Sequence, residues 1–195
     1  MGKIFYVMGK SATGKDTVYN RLLEDKSLGL KTVVLYSTRP IRSGEVDGVT
    51  YHFRTIPWYE EQEKTGKIIE SRVYQTMLGP WYYFTMDDGQ INLAENNYLM
   101  IGTPAAYIKM RAYFGEAAIV PLYLEIDDAE RLHRAWLREC SQKKPRFDEM
   151  CRRYLADEED FSEEKLTAAG ITERYRNDDV DRCCEQVKAV IRTLL

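Results

Sequence analysis

The chain has 195 residues, of which 44% are apolar and 30% charged, and its 28 basic and 31 acidic side chains give a formal net charge of −3. This composition is typical of a globular domain and differs from that of disordered, fibrous or membrane-spanning chains. The charge balance argues against an extended nucleic-acid surface, because a protein that neutralises many phosphates carries a large positive excess.

Cysteine and histidine usage narrows the chemistry further. The four cysteines lack the paired spacing of a metal site, so we expect reduced thiols, partly buried on helices, in a cytoplasmic protein. The chain has only two histidines, and any metal must therefore be held through oxygen ligands. No apolar stretch reaches the ~20 residues of a membrane-spanning helix, and the first residues do not have the pattern of a secretory signal.

The N-terminal residues predict a strand, a loop and a helix in succession. Residues 3–8 form an apolar run rich in β-branched and aromatic side chains, and the apolar spacing that follows Asp16 is helical. A second strand is predicted over residues 32–36. Residues 38–85 then interrupt the alternation with turn residues and short strand candidates. We interpret them as an inserted lobe of mixed α and β structure.

Regular alternation resumes after this lobe, and residues 1–37 and 86–195 are expected to form the core of a single domain. The expected elements are a helix over 86–94, strands over 98–101 and 119–126, helices over 105–114 and from 128, and a C-terminal amphipathic helix with Cys183 and Cys184 on its core face. Strands that alternate with helices indicate a parallel sheet. The predicted fold class is therefore α/β, with helices on both faces of that sheet.

Charge is unevenly distributed in the C-terminal third. Residues 131–153 carry eight basic and three acidic side chains, whereas residues 154–164 carry six acidic and no basic ones. Most such runs are solvated helix faces that pair with their neighbours. A basic segment can also gather around a polyanionic ligand, and the charge pattern alone leaves both interpretations open.

The loop between the first strand and the first helix has the spacing G-x-x-x-x-G-K. Its glycines let successive backbone N–H groups point at phosphate oxygens, while the helix N-terminus and the lysine add positive charge. This position between strand and helix favours a nucleotide-binding loop of the P-loop type over a structural turn. The residues expected to bind ATP here are Gly9, Lys10, Ser11, Ala12, Thr13, Gly14, Lys15, Asp16 and Thr17.

Asp16 departs from this motif, because it stands where a serine or threonine hydroxyl usually meets Mg²⁺. An aspartate can hold Mg²⁺ directly or through water, and Thr17 provides a hydroxyl next to it. The sequence leaves open which of the two contacts the metal that accompanies ATP.

Residues 37–53 concentrate turn glycines, Arg39, Arg42 and Tyr51. Two arginines three residues apart can form a fork around a dianionic phosphate. A surface hairpin with scattered charges is the simpler interpretation of the same residues. Together with the phosphate loop, however, the segment closely resembles the guanylate kinases, in which the pattern S-T-R-x-x-R-x-G-E-x-x-G-x-x-Y-x-F grips the phosphate of GMP.

The resemblance covers nearly the whole chain and implies an acceptor site. It implies that Glu70 accepts the N1 and N2 hydrogens of guanine, which would separate guanine from adenine. The family's Tyr-Tyr-Gly-Ser segment corresponds to residues 82–85, with Phe84 in place of glycine, so Tyr83 would contact the phosphate and Thr85 guanine O6. The full set implied to bind GMP is Ser37, Arg39, Arg42, Glu45, Tyr51, Glu70, Tyr83 and Thr85.

The resemblance also implies a helical lid over residues 134–153. Arg134 and Arg138 look like the lid arginines, and Arg153 begins a stretch similar to the family's R-L-x-x-A-x-x-E-L helix. These arginines are implied to close over the transferring phosphoryl group, and Asn177 is implied to lie near adenine. The implied catalytic set is Lys15, Arg39, Arg134, Arg138 and Arg153.

Residues 101–105 mark the chain as a divergent member. They read Ile-Gly-Thr-Pro-Ala, where the family usually has an acidic D-I-D-x-Q-G strand end beside the acceptor nucleotide. Two carboxylates expected near the nucleoside or Mg²⁺ are therefore missing from the sequence. This leaves the acceptor specificity open.

The resemblance implies Mg²⁺-dependent transfer of the ATP γ-phosphoryl to GMP or dGMP, in purine nucleotide metabolism, by a cytoplasmic monomer or homodimer. One alternative is a related kinase for another phosphorylated acceptor, such as ribose 1,5-bisphosphate; such kinases share the G-K-D sequence, but Glu70 would then find no purine donors. The other is a non-catalytic, guanylate-kinase-like module that binds peptides. Modules of that kind tend to lack a working phosphate loop, whereas Lys15 is present.

Overall fold

The central sheet contains five parallel strands drawn from both ends of the chain. The computed structural model describes residues 1–76 and 79–195. In spatial order the strands are β2 (Leu30–Thr32), β7 (Asn97–Gly102), β1 (Ile4–Met8), β8 (Ile119–Glu125) and β9 (Arg174–Arg176). Every residue of β1 is buried, as expected for the middle strand of a sheet that is covered on both faces.

Helices cover both faces of this sheet. One face packs against α1 (Lys15–Glu24) and α7 (Val180–Leu194), and the other packs against α3 (Pro104–Phe114) and α6 (Glu163–Ala168). The remaining core helices are α4 (Asp128–Cys140) and α5 (Phe147–Asp160). The predicted α/β fold, a parallel sheet between helices, is confirmed. Within the described part of the chain, no helix is long and apolar enough to cross a membrane.

The inserted lobe has its own sheet and its own aromatic core. Its strands, in spatial order, are β4 (His52–Phe53), β3 (Tyr36–Ser37), β6 (Gly79–Met86) and β5 (Ile68–Thr76), and its helix is α2 (Ile56–Lys64). Tyr36, Tyr59 and Phe84 pack together beneath this sheet. The small sheet thus has a hydrophobic cluster separate from the two clusters of the central sheet.

The helix predicted over residues 86–94 is wrong. Met86 ends β6, and residues 87–96 form turns in which side chains bond to the backbone. Asp88 accepts from the backbone N–H of Gln90 at 3.0 Å, and Asn92 accepts from that of Ala94 at 3.1 Å. Aspartate and asparagine offer the chain this alternative to helical hydrogen bonds, and Gly89 adds a positive φ of 85°.

The strand predicted over residues 32–36 is also wrong, because the run divides between two sheets. Thr32 ends β2 in the central sheet, and Tyr36 begins β3 in the lobe. Between them the side-chain amide of Gln90 takes the place of a neighbouring strand: its Oε1 accepts from Val34 N at 2.9 Å and its Nε2 donates to Val34 O at 3.1 Å.

The C-terminal helix has the predicted core face. Cys183 and Cys184 are both buried there, and burial raises the pKa of the Cys183 thiol to about 12. All four cysteines lie on helices and are free thiols, but Cys140 and Cys151 are exposed. The expectation of partial burial is therefore wrong for each pair: the α7 thiols are packed in the core, and the other two face solvent.

Candidate active site

The loop between β1 and α1 has the backbone shape of an anion cradle. Ala12 and Gly14 adopt positive φ angles of 64° and 82°, and such turns bring successive N–H groups to one side of the chain. Helix α1 begins at Lys15 without a side-chain cap. Its first N–H groups are thus left for an anion, next to the partial positive charge of the helix end.

Close packing explains both fixed glycines of the loop. A Cβ atom at Gly9 would lie 2.7 Å from the carbonyl oxygen of Leu124, and one at Gly14 would lie 2.5 Å from Asn177 Nδ2. Gly14 also needs its left-handed backbone conformation. Neither position therefore tolerates a side chain without movement of the surrounding backbone or of Asn177.

Asn177 fastens the phosphate loop to the segment after β9. Its Nδ2 donates to the carbonyl of Thr13 at 2.6 Å, and the side chain is only 2% exposed. Thr13 in turn donates its hydroxyl to Lys10 O at 2.8 Å. Asn177 thus holds the loop in shape; its contact with adenine stays a prediction.

The acidic end of α5 reaches the same loop. The backbone N–H of Ser11 donates to Asp157 Oδ2 at 2.7 Å, and Lys10 Nζ donates to Glu158 Oε1 at 2.8 Å. A carboxylate therefore occupies one of the loop's amides. Part of the acidic run at residues 154–164 serves this contact, so it is more than a solvated face.

Arg131 is a residue of this region that sequence analysis did not select. It is 1% exposed, lies 4.0 Å from the centre of the Tyr154 ring, and forms ion pairs with Asp128, Asp157 and Glu158. Arg131 joins α4 to the end of α5 that contacts the phosphate loop. Its spacing of three from Arg134, one helical turn, was the available indication that both share a face.

The three predicted lid arginines have different surroundings. Arg134 donates to the carbonyl of Asn177 at 3.3 Å, which places its guanidinium beside the phosphate loop. Arg138 is exposed on α4, and Arg153 is exposed on α5, where it donates to Glu149 at 2.9 Å. Among the described residues, polar contact with the loop region is therefore made by Arg134 and not by the other two.

The first turn of α1 offers oxygen atoms for a cation. Asp16 and Thr17 are both exposed there, beside Lys15. In the described ranges of the chain, no cluster of three or more acidic, histidine or cysteine side chains could hold a metal ion by itself. This donor set fits a Mg²⁺ ion that keeps water and phosphate oxygens and takes one or two protein ligands.

The arginine loop of the small lobe is organised by Glu45. Its carboxylate accepts two hydrogen bonds from the Arg39 guanidinium and one, at 2.8 Å, from the backbone N–H of Arg42. The Arg39 hydrogen bonds lower the pKa of Glu45 to about 2. Arg39 is 4% exposed, whereas the Arg42 side chain is exposed. Glu45 thus fixes the backbone that presents both arginines, and its contact with GMP stays a prediction.

Two tyrosines complete this corner. The Tyr51 ring lies 5.2 Å from the Arg39 guanidinium and 5.7 Å, edge-on, from the ring of Tyr83. Ser37, fully buried on β3, accepts from the backbone N–H of Arg39 at 3.3 Å. The structure therefore brings the predicted phosphate-binding residues of the lobe together, although their contacts with a nucleotide stay predictions.

Glu70 and Thr85 face each other across β5 and β6. They are directly paired in the strand register, and Thr85 donates its hydroxyl to Glu70 Oε1 at 2.8 Å. Both residues, side chain and backbone together, are 2% exposed. The alignment of residues 82–85 with the family's Tyr-Tyr-Gly-Ser segment thus selects a threonine that lies beside Glu70. The single hydrogen of the Thr85 hydroxyl, however, is already donated to the Glu70 carboxylate.

Comparisons with known proteins agree with the resemblance seen in the sequence. The family model described as "Guanylate kinase" matches residues 1–82. The guanylate kinase of Zymomonas mobilis is 26% identical over 208 residues, which cover 97% of this chain and 83% of that protein. The guanylate kinase of Bacillus cereus is 26% identical over 203 residues, which cover 97% and 87%.

A solved structure shares the fold. The crystal structure of guanylate kinase from Anaplasma phagocytophilum matches 98% of this chain and 85% of that one, with a TM-score of 0.62 and 18% sequence identity. With 18% sequence identity, this match shows that the two chains share a fold. The predicted resemblance to guanylate kinases is therefore confirmed in sequence and in fold.

Proposed function

We propose that this chain, a divergent relative of the guanylate kinases, transfers the γ-phosphoryl group of ATP to GMP or dGMP and releases ADP and GDP or dGDP. The observation that carries the proposal is the buried carboxylate of Glu70 in a lobe that also presents Arg39, on a fold with a phosphate loop. A carboxylate suits the N–H donors of guanine, and arginine suits a phosphate. A sugar phosphate would leave Glu70 without a purine partner.

Phosphoryl transfer depends on positioning and on neutralisation of charge. Lys15 and the loop amides would hold the β and γ phosphates, while Arg39, Arg42 and the two tyrosines would orient the acceptor phosphate. Arg134, beside the loop, would stabilise the transferring group. A nucleotide phosphate is already ionised near neutral pH, so no side chain has to remove a proton from the acceptor.

Mg²⁺ is part of the proposal. When bound with ATP it would neutralise charge on the phosphates, and Asp16 or Thr17 would supply its protein oxygen. The resemblance implies these ligands only by position, and the exposed first turn of α1 is compatible with either. Cytoplasmic localisation and a monomeric or homodimeric state remain predictions.

An ADP-release assay tests the function directly. ATP and Mg²⁺ are held constant while GMP, dGMP, AMP, UMP, CMP and ribose 1,5-bisphosphate are supplied in turn. We expect turnover with GMP and dGMP. Turnover with ribose 1,5-bisphosphate alone would support the related sugar-phosphate kinase, and silence with all six acceptors would support a binding module.

Replacement of Lys15 tests the phosphate loop. Lys15→Met should lower kcat with GMP by at least about 10³-fold, because the charge on the β and γ phosphates is lost. The control is Lys26→Met, at an exposed lysine just after α1, which should keep its activity. Both variants should retain the wild-type circular dichroism spectrum; an active Lys15→Met protein would contradict the assignment.

A further inference from the structure

The inserted lobe has a second charged side chain next to Glu70. Arg72 lies two residues further along β5, so both side chains project from the same face of the strand. Arg72 Nε is 3.4 Å from Glu70 Oε2, and the two side chains are 19% and 1% exposed. Burial acts to lower the pKa of Arg72, but the combined attraction of Glu70 and the neighbouring hydroxyls of Tyr6, Tyr74 and Tyr51 outweighs it, and the pKa is raised.

The two facing atoms have unused hydrogen-bonding capacity. Glu70 Oε2 and Arg72 Nε are both shielded from solvent, and within the described residues neither has a hydrogen-bond partner. Native proteins rarely leave such buried atoms unpaired. One is an acceptor and the other a donor, so together they match a ligand edge that presents a donor beside an acceptor.

Thr85 cannot supply that donor while it serves Glu70. A threonine hydroxyl has a single hydrogen, and Thr85 gives it to Glu70 Oε1 at 2.8 Å. A purine carbonyl that enters this corner therefore needs another N–H group. Arg72 has such an N–H group at Nε. Because its contact with Glu70 is an ion pair without a hydrogen bond, the edge of a base could enter between the two side chains without breaking a hydrogen bond.

We infer that Arg72 is a specificity-determining residue of the acceptor site, which donates from Nε to the O6 carbonyl of guanine while Glu70 Oε2 accepts the N1 hydrogen. The inference rests on the proposed function. Adenine presents the opposite pattern, with an amino group toward Arg72 and an unprotonated nitrogen toward Glu70. Both contacts would then be repulsive, which is an effective way to reject a near-isosteric base.

The test compares bases with and without the O6 carbonyl. Steady-state kcat and KM are measured with GMP, IMP and AMP at saturating ATP and Mg²⁺, and Kd replaces them where turnover is too slow. The variants are Arg72→Met, which removes the donor and the charge, and Arg72→Lys, which keeps the charge but moves the donor. The matched control is Arg54→Met, at an arginine of the same lobe that lies over Tyr36 and Trp58.

We expect Arg72→Met to lower kcat/KM by about 10- to 100-fold for GMP and IMP alike, mainly through KM, because both bases carry O6. AMP should lose nothing and should improve, because Arg72→Met removes a repulsive contact with the adenine amino group and no favourable one. Arg72→Lys should restore less than half of the decrease in log kcat/KM that Arg72→Met causes with GMP. The control, Arg54→Met, should keep the wild-type preference for GMP.

The outcomes separate the inference from the proposed function. If wild-type protein phosphorylates GMP and Arg72→Met keeps the GMP-to-AMP ratio, the inference is wrong and the function stands. Equal losses with all three nucleotides would also overturn it, since Arg72 would then support only the lobe. Full recovery in Arg72→Lys would assign the effect to charge alone. Wild-type protein that neither binds nor phosphorylates GMP overturns both.

Discussion

At the scale of single residues, Tyr6 and Gly102 depend on each other. A Cβ atom at Gly102 would lie 2.2 Å from the Tyr6 hydroxyl oxygen and 2.9 Å from Tyr6 Cζ. Tyr6 is 1% exposed, and burial, followed by the charge of Glu70, raises the pKa of its hydroxyl. The tyrosine thus fills the space at the end of β7, in the segment where the sequence departs from the family's acidic pattern.

We therefore expect Gly102→Ala to lower the free energy of unfolding by about 1–3 kcal/mol, as overpacking in a core does. Tyr6→Phe in the same chain should restore part of this loss, because it removes the nearest atom but leaves the ring. Urea unfolding of both single variants and the double variant measures the effect. Wild-type stability in Gly102→Ala would contradict this packing.

At the scale of elements, two acidic residues at the end of α5 contact the phosphate loop. Asp157 accepts from the N–H of Ser11, and Glu158 pairs with both Lys10 and Arg131. Counted from Arg153, Asp157 stands where the family pattern R-L-x-x-A has an alanine. The carboxylate occupies an amide that the motif assigns to phosphate. If ATP binds this loop as proposed, the end of α5 has to release that amide first.

Asp157→Asn should accordingly lower the KM for ATP by about tenfold, because a charge-assisted hydrogen bond of roughly 1.5 kcal/mol no longer competes with phosphate. The control is Glu159→Gln on the same helix, where the carboxylate is exposed and pairs only distantly with Lys165. The measurement is initial rate against ATP concentration at saturating GMP. An unchanged or higher KM would mean that the contact is compatible with ATP.

At the scale of the whole molecule, three carboxylates with strongly lowered pKa values lie in three different parts of the fold. Asp25 links the end of α1 to α7 through Lys188, Glu45 organises the arginine loop, and Glu149 pairs with two arginines of α5. Hydrogen bonds lower each pKa to about 2, mainly from Ser27 for Asp25, from Arg39 for Glu45 and from Arg152 for Glu149. The core, the lobe and the predicted lid over residues 134–153 each contain one such group.

These lowered pKa values predict that stability falls in acid. A carboxyl group with a lowered pKa contributes its full stabilisation above its unfolded value, near 4, and loses it as the pH falls toward 2. We expect the urea midpoint to hold between pH 7 and about pH 5 and to fall progressively below that. Glu45→Gln should be less stable at pH 7 and should lose less on acidification. An identical acid slope in the variant would argue against Glu45 as a contributor.

Local pattern accounts for much of what the sequence predicts correctly. The continuous apolar run of β1, the glycines of the loop and the apolar face of α7 are short-range features, and the structure has each of them. The helix expected over residues 86–94 fails for a local reason too: side chains such as Asp88 and Asn92 compete for the backbone hydrogen bonds. The spacing of apolar residues carries no information about that competition.

The sequence by itself determined that a parallel α/β core carries a phosphate loop, because spacing and period are properties of neighbouring residues. It also identified Glu70 and the arginine loop through their resemblance to the guanylate kinases. Only the tertiary structure decided that Arg72 lies against Glu70, that Tyr6 limits Gly102 and that Asp157 contacts Ser11. Most of these partners are far apart in the chain, and even for Arg72 and Glu70 burial and pairing are known only after folding.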